Sequence, residues 1–316
     1  MAVGVSMHKR FRFFLRIVPS ILLLAAAAAC SRGHPASAPA QNIYLTIPDT
    51  RTIAIFPGEI TESARPLARI VEDPPDQPVD VSLDLAREIF VANVNGNVKA
   101  YREHDHRFIR IHLLEGPNTR LVHPQAITVD IAGSFFVAEA GETSGHGRIE
   151  WFSGGLNGNV PPTRVISGPH TGIANPTGIA LDGSGRIYVA DAGSNKVLVF
   201  DSDAEGDVPP AATISPLHSP QRVFVDQLLN VYVSNKGDDT ISIFENEGPE
   251  SWSPSATLSG GVLRDPRGVA TDGAGRIVVA APGQVLFFAP NSKGAAQPTA
   301  ILSLGAQIDP MGLCIH

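Results

Sequence analysis

The sequence has only two cysteines, Cys30 and Cys314. A scaffold stapled by several disulfides is therefore excluded, and stability has to come from packing. Charged residues are sparse, at 17% of the chain, and acids outnumber bases by 31 to 24. An acidic chain without clustered Lys and Arg does not suit nucleic acid, whose phosphates are bound by dense positive charge. Long apolar runs are missing too: "ILLLAAAAAC", Ile21 to Cys30, is too short to span a bilayer comfortably as a helix. No serine or cysteine stands in a nucleophile motif, since Ser184 belongs to a "GSG" that reads as a tight turn.

What is present begins with a leader. The residues before Ser20 carry Lys9, Arg10, Arg12 and Arg16 with no acid, and the apolar run that follows ends in small residues. This is the layout of a secretory signal peptide, here residues 1–29. The "AAAC" ending at Cys30 resembles the lipobox of bacterial lipoproteins, in which that cysteine becomes the lipidated first residue, although Ala27 stands where the usual Leu would be. By the same likeness, Ser31 in place of Asp points to the outer membrane. "SRGHPASAPAQ", Ser31 to Gln41, has no periodicity and is rich in Pro, Ala and Ser, so residues 30–41 read as a lipidated cysteine and a flexible tether. Loss of the leader removes four bases and no acid, taking the formal charge from −7 to −11. With lipid on Cys30, no disulfide is expected, and the remaining 275 or so residues are enough for one sizeable core.

The rest of the chain repeats. "PTGIALDGSGRIYVADAGSNKVLVF", from Pro176, returns as "PRGVATDGAGRIVVAAPGQVLFF", from Pro266. A Pro opens an apolar strand at Pro78, Pro124, Pro176, Pro220, Pro266 and Pro310, at spacings of 44 to 52 residues. An Asp-containing turn follows, then a second strand such as "IYVAD", then a third that ends in an aromatic at Tyr101, Phe152, Phe200, Phe244 and Phe288. A short fourth strand completes each unit, as in "AATI" before Ser215. Four short β-branched and aromatic strands per repeat make a propeller blade.

The two ends give the blade count. Residues 43–71 supply a second, third and fourth strand without a first, and "PMGLCIH", Pro310 to His316, is a first strand without the rest. The expected architecture is all-β: a six-bladed propeller over residues 42–316, of four-stranded antiparallel blades, closed when the C-terminal strand joins the N-terminal blade. Cys314 would then be an inert thiol in a packed strand.

The repeat resembles the NHL family of six-bladed propellers, most clearly in Asn157 to Phe200, and the likeness runs from Ile43 to His316. It implies the fold. Such propellers include amidating lyases, lactonases, other lyases, sensor domains and plain binding scaffolds, so it implies no single activity.

In an antiparallel meander the first-to-second and third-to-fourth turns share one face, and the remaining loops share the other. The repeat from Pro124 is longest, and its extra residues fall between Glu139 and Arg148 and between Ile166 and Pro176, both on this second, looped face. Insertions gathered on one face often mark a binding side. The last residue of the second strand is polar in four successive blades, Asn93, Glu139, Asp191 and Asn235. These side chains are candidate ligand contacts, or they accept backbone N–H groups and shape the turn, as Asp and Asn of "ADAGSNK" do in the NHL turn. Arg222 and Arg267, near the start of two inner strands, are candidates for holding a carboxylate or phosphate, or are solvated rim charges.

Metal-dependent propeller enzymes hold their ion on several inner strands at the channel mouth. The residues after each opening Pro, Val79, Gln125, Thr177, Gln221, Arg267 and Met311, offer no such set. His123, His170 and His218 lie on three successive looped-face segments and could together suit a zinc, but they stand at unequal distances from their prolines. The expectation is a non-catalytic propeller without cofactor, lipid-anchored in the bacterial envelope, binding an envelope protein or small ligand on its looped face. The alternative is a metal-dependent lyase or lactone hydrolase at the same opening.

Overall fold

The computed structural model describes residues 41–60, 64–141, 147–248 and 250–316. The expected signal peptide, Cys30 and the tether up to residue 40 lie outside the described residues. The described chain forms six four-stranded antiparallel sheets. From the axis outwards, blade 1 takes Leu313–Ile315, Asn42–Ile47, Thr52–Pro57 and Ala68–Val71, and blade 2 takes Pro78–Leu83, Ile89–Asn93, Asn97–His104 and Arg107–Glu115. Blade 3 is Pro124–Val129, Phe135–Glu139, Arg148–Phe152 and Arg164–Ile166, and blade 4 is Pro176–Leu181, Ile187–Asp191, Lys196–Phe200 and Ala212–Ile214. Blade 5 is Pro220–Val225, Val231–Asn235, Thr240–Gly248 and Ser251–Leu258, and blade 6 is Gly268–Thr271, Ile277–Ala281, Gln284–Phe288 and Ala300–Ser303.

Every innermost strand touches the innermost strands of both neighbouring blades, so the ring is closed. Closure is made as the ends of the sequence require: Leu313, Cys314 and Ile315 pair with Leu45, Tyr44 and Ile43. One apolar cluster fills each of the six gaps between blades. The pleat explains why the second strands read as continuous apolar runs. Ile187 and Val189 enter the gap with blade 3, while Tyr188 and Ala190 enter the gap with blade 5, so both faces of one strand are covered.

The Asp of the first-to-second turn folds its carboxylate back on the turn. Oδ1 of Asp182 accepts the N–H groups of Ser184 and Arg186 at 2.8 and 3.1 Å, and Asp130, Asp226 and Asp272 repeat the arrangement. Gly185, at φ 84, takes the left-handed position that the turn needs.

Two details differ from the sequence reading. The third strands of blades 2 and 5 run past Tyr101 and Phe244 to His104 and Gly248. A bulge beside each aromatic bends the strand while its partner continues the ladder, and a long hairpin results. The innermost strand starts at Gly268 and not at Pro266 in blade 6, and at Leu313 and not at Pro310 in blade 1.

Candidate functional site

The looped-face end of the channel is built by a repeated defect. In blades 2 to 5 the ladder slips by one residue just after the opening Pro, between Pro78 and Asp80, Pro124 and Ala126, Pro176 and Gly178, and Pro220 and Arg222. Such a bulge leaves one residue out of the pairing and re-aims it. The extra residues are Val79, Gln125, Thr177 and Gln221, and their carbonyl oxygens are where one guanidinium binds. Arg222 donates from Nη2 to Val79 O at 3.2 Å and to Gln125 O at 3.1 Å, and from Nη1 to Gln221 O at 3.1 Å and to Thr177 O.

The next residue of each inner strand explains how that side chain fits. Around the ring this position is Asp80, Ala126, Gly178, Arg222, Gly268 and Gly312. Four members are Gly or Ala, and they are held small by contact: a Cβ on Gly178 would lie 2.8 Å from Arg222 Cα, and one on Gly312 would lie 2.5 Å from Asp80 Oδ1. The other two are an acid and a base on opposite blades. Arg222 reaches across the axis towards Asp80, with Nε 3.6 Å from Oδ1, while Asp80 Oδ2 accepts Ile127 N–H at 3.0 Å. Burial raises the Asp80 pKa, and the nearby guanidinium opposes this. Arg222 is only 8% exposed. It therefore closes the mouth as part of the wall, a different task from catching an anion. Asp80 escaped the sequence reading, which compared the residue directly after each Pro. The informative ring is one position further on, where an Asp and an Arg stand three blades apart among small residues.

At this closure the channel holds a cavity of about 160 Å³, to which every innermost strand contributes, for example Val81, Ile127, Ile179, Val223, Val269 and Leu313, with Asp80, Ser82, Thr128 and Arg222 adding polar groups to its walls. Cys314 lines it, half-buried, and its thiol is pushed up to about 12 by burial, with the Asp80 charge adding to the effect. A thiol so far from ionising at neutral pH is a poor nucleophile.

The four polar strand ends are all fully buried. Asp191 accepts the N–H groups of Ala174, Asn175 and Ser194 at 2.7 to 2.9 Å. Glu139 accepts those of Val122 and His123, at 3.1 and 2.9 Å. Asn235 receives His218 N–H at 3.4 Å and donates to Thr240 and Ser242, and Asn93 donates to Asn97 at 2.9 Å. In blades 3, 4 and 5 the side chain thus ties the incoming loop to the strand end. Glu139 shares its gap with fully buried Glu150, and both lean on Arg148, 3.5 Å from Glu139 and 2.7 Å from Glu150. Burial raises the Glu139 pKa to about 7; its two backbone donors and Arg148 act against the rise, and Glu150 adds to it.

Arg267 is not in the channel. It bridges Asp265 and Asp309 at 2.7 and 3.1 Å on the looped face. The three histidines are exposed and separate: among the described residues no three His, Cys, Asp or Glu side chains are grouped as a metal site. His170 has a local task, since Asp207 of the next blade accepts its backbone N–H and meets Nδ1, both at 2.7 Å. Asn118 and Asn159 make the same backbone contact one blade earlier, at 2.7 Å. Residues 142–146 of the first insertion lie outside the described residues. The second insertion forms the 3-10 turn Pro169–Thr171.

A closed ring of six four-stranded blades around a narrow channel defines a six-bladed β-propeller. The NHL repeat model matches residues 174–200, the second strand of blade 4 among them, so one blade of the propeller carries an NHL repeat. Among curated proteins no sequence matches this chain. Solved structures share the fold at low identity. A Bacteroides caccae protein of unknown function is 13% identical, with TM-score 0.61 over 87% of this chain and 98% of that one. The periplasmic gluconolactonase of Pseudomonas aeruginosa is 15% identical, with TM-score 0.58 over 87% and 99%. A putative 6-phosphogluconolactonase from Bacteroides fragilis is 13% identical, with TM-score 0.62 over 90% and 100%.

Proposed function

We propose that this protein is a lipid-anchored propeller of the bacterial outer membrane that binds an envelope protein or a small ligand on its looped face, without catalysis. The observation that carries this reading is the Arg222 closure. The channel mouth, where inner strands of several blades converge and a propeller can assemble reactive groups, is filled by a guanidinium whose donors go to four backbone carbonyls and which pairs with Asp80. The two Nη groups, spent in this way on backbone carbonyls, are not available to a substrate. Recognition then falls to the loops around the mouth, where the insertion at 141–147 is the candidate for contact and Arg267, held by Asp265 and Asp309, supports the rim.

The second reading is a lactone hydrolase, in line with what two of the structural neighbours are named for. The two readings separate in one assay. The purified full-length protein is offered gluconolactone and 6-phosphogluconolactone, with and without added calcium or zinc. Ring opening at the spontaneous rate under all conditions is expected. Saturable acceleration that Arg267→Ala or a shortened 141–147 loop abolishes would overturn the scaffold reading in favour of an enzyme.

A further inference from the structure

The face opposite the loops carries five of the Asp-led turns, and in all five the two residues after the Asp are uncharged. The aspartates themselves are turned back onto backbone N–H groups. Three of these tips hold a large aliphatic side chain: Leu85 in blade 2, Ile131 in blade 3 and Leu228 in blade 5, exposed by 72%, 83% and 76%. They are the three most exposed large apolar side chains among the described residues. Single exposed aliphatics are ordinary on a protein surface. Three at equivalent turns around one channel end form a pattern.

The sixth place in that ring is where the chain arrives. Blade 1 has no first-to-second turn, because its two inner strands are the two ends of the propeller. The N–H of Asn42 donates to His316 O at 2.8 Å, and Gln41 Oε1 accepts the N–H of Gly273, in the blade 6 turn, at 2.6 Å. The eleven residues 31–41 can span at most about 40 Å when fully extended. A lipid on Cys30 therefore holds the point of attachment, which lies on this face, within about 40 Å of the bilayer.

We propose that the tight-turn face docks on the membrane surface, with Leu85, Ile131 and Leu228 entering the headgroup layer around the tether. This rests on the lipid-anchor reading of the proposed function. Aliphatic side chains at an interface gain by leaving water, and the anchor makes the contact intramolecular, so a weak contact is enough to orient the molecule. The long hairpins of blades 2 and 5 end on the same side at larger radius, the first with Arg102, Glu103, Asp105 and Arg107, the second with Glu247 and Glu250. These charged tips limit penetration to the headgroup region, and with no cluster of bases among them they give no pull towards anionic lipid. The looped face is then directed away from the bilayer, towards a partner.

The test uses the lipidated full-length protein in phosphatidylcholine vesicles, spin-labelled singly through Leu85→Cys, Ile131→Cys or Leu228→Cys. Val122→Cys, an exposed aliphatic position on the looped face, is the control, and the unsubstituted protein reports any labelling of Cys314. The ratio of collisions with oxygen to collisions with a water-soluble nickel chelate is expected to be about threefold higher or more at the three turn positions than at Val122. Equal ratios in protein that sediments with vesicles and has acylated Cys30 would overturn the docking alone. A soluble protein with unmodified Cys30 would overturn the anchor, and the docking with it.

Discussion

Arg222 is the side chain on which the inner ring depends most. Its removal strands Asp80 as a buried carboxylate without its cation and leaves four inward carbonyls without a donor. Breaking a buried pair from one side costs on the order of 3–5 kcal/mol, so Arg222→Met should lower stability by that much in chemical denaturation. Addition of Asp80→Asn should recover part of the loss, because the amide still offers an oxygen to Ile127 N–H without a stranded charge. An Arg222→Met protein as stable as wild type would mean that the guanidinium is available for a ligand after all. Glu139 gives a prediction in pH. Its pKa is raised by burial from 4.5 to about 7, so the folded state holds a proton that the unfolded chain releases near 4.5. Folded protein is then favoured at low pH, and this contribution is lost as pH rises from about 4.5 to about 7, amounting to roughly 3 kcal/mol. Glu150 is raised in the same direction and adds to the slope. The melting temperature should fall across this window, and Glu139→Gln, which keeps an acceptor for Val122 and His123 N–H, should flatten the fall. A profile unchanged by the substitution would place the titrating group elsewhere.

At the level of strands and turns, much was legible because the information is local and repeated. The opening Pro, the Asp-led turn and the apolar second strand recur on a fixed spacing, and each signals its element through backbone preference or pleat. What was not legible came from geometry between blades. The bulge after Pro78, Pro124, Pro176 and Pro220 shifts the channel-facing position by one residue, so a comparison of the residues directly after Pro finds Arg267 and misses Asp80. Arg222 and Arg267 both follow their prolines closely, yet one lies in the channel and the other on the rim, because they stand two residues and one residue after Pro. His170 shows the same limit. Alone it is a possible ligand; only the third-to-fourth loop of blade 4, which carries Gly206 back to pair with Ile166 and sets Asp207 beside the 3-10 turn, reveals it as part of a latch between blades.

For the whole molecule, the closing strand decides whether the ring behaves as one unit. Leu313–Ile315 is short, and its residues are half-buried because one side faces the channel cavity. Leu313 and Ile315 nevertheless pack against the cluster between blades 6 and 1, and the strand covers the edge of Asn42–Ile47. Deletion of residues 311–316 removes this packing, worth about 2 kcal/mol for each of the two side chains. It also removes the bonds from Asn42 N–H to His316 O and from Thr46 N–H to Gly312 O, at 2.8 and 3.2 Å. It uncovers an apolar strand edge, which is a template for pairing with another chain. Gly312, packed so close to Asp80 that a Cβ there would lie 2.5 Å from Oδ1, leaves as well. The truncated protein should therefore melt well below the full-length one and associate through blade 1, seen as a concentration-dependent shift to larger species in size-exclusion chromatography. Leu313→Ala, which keeps the backbone ladder, should lower stability while leaving the protein monodisperse to the same degree as wild type. If the truncated chain instead melts with the full-length protein and gains no larger species, the five complete blades hold together without the closing strand, and the strength of the ring lies in the gaps between them.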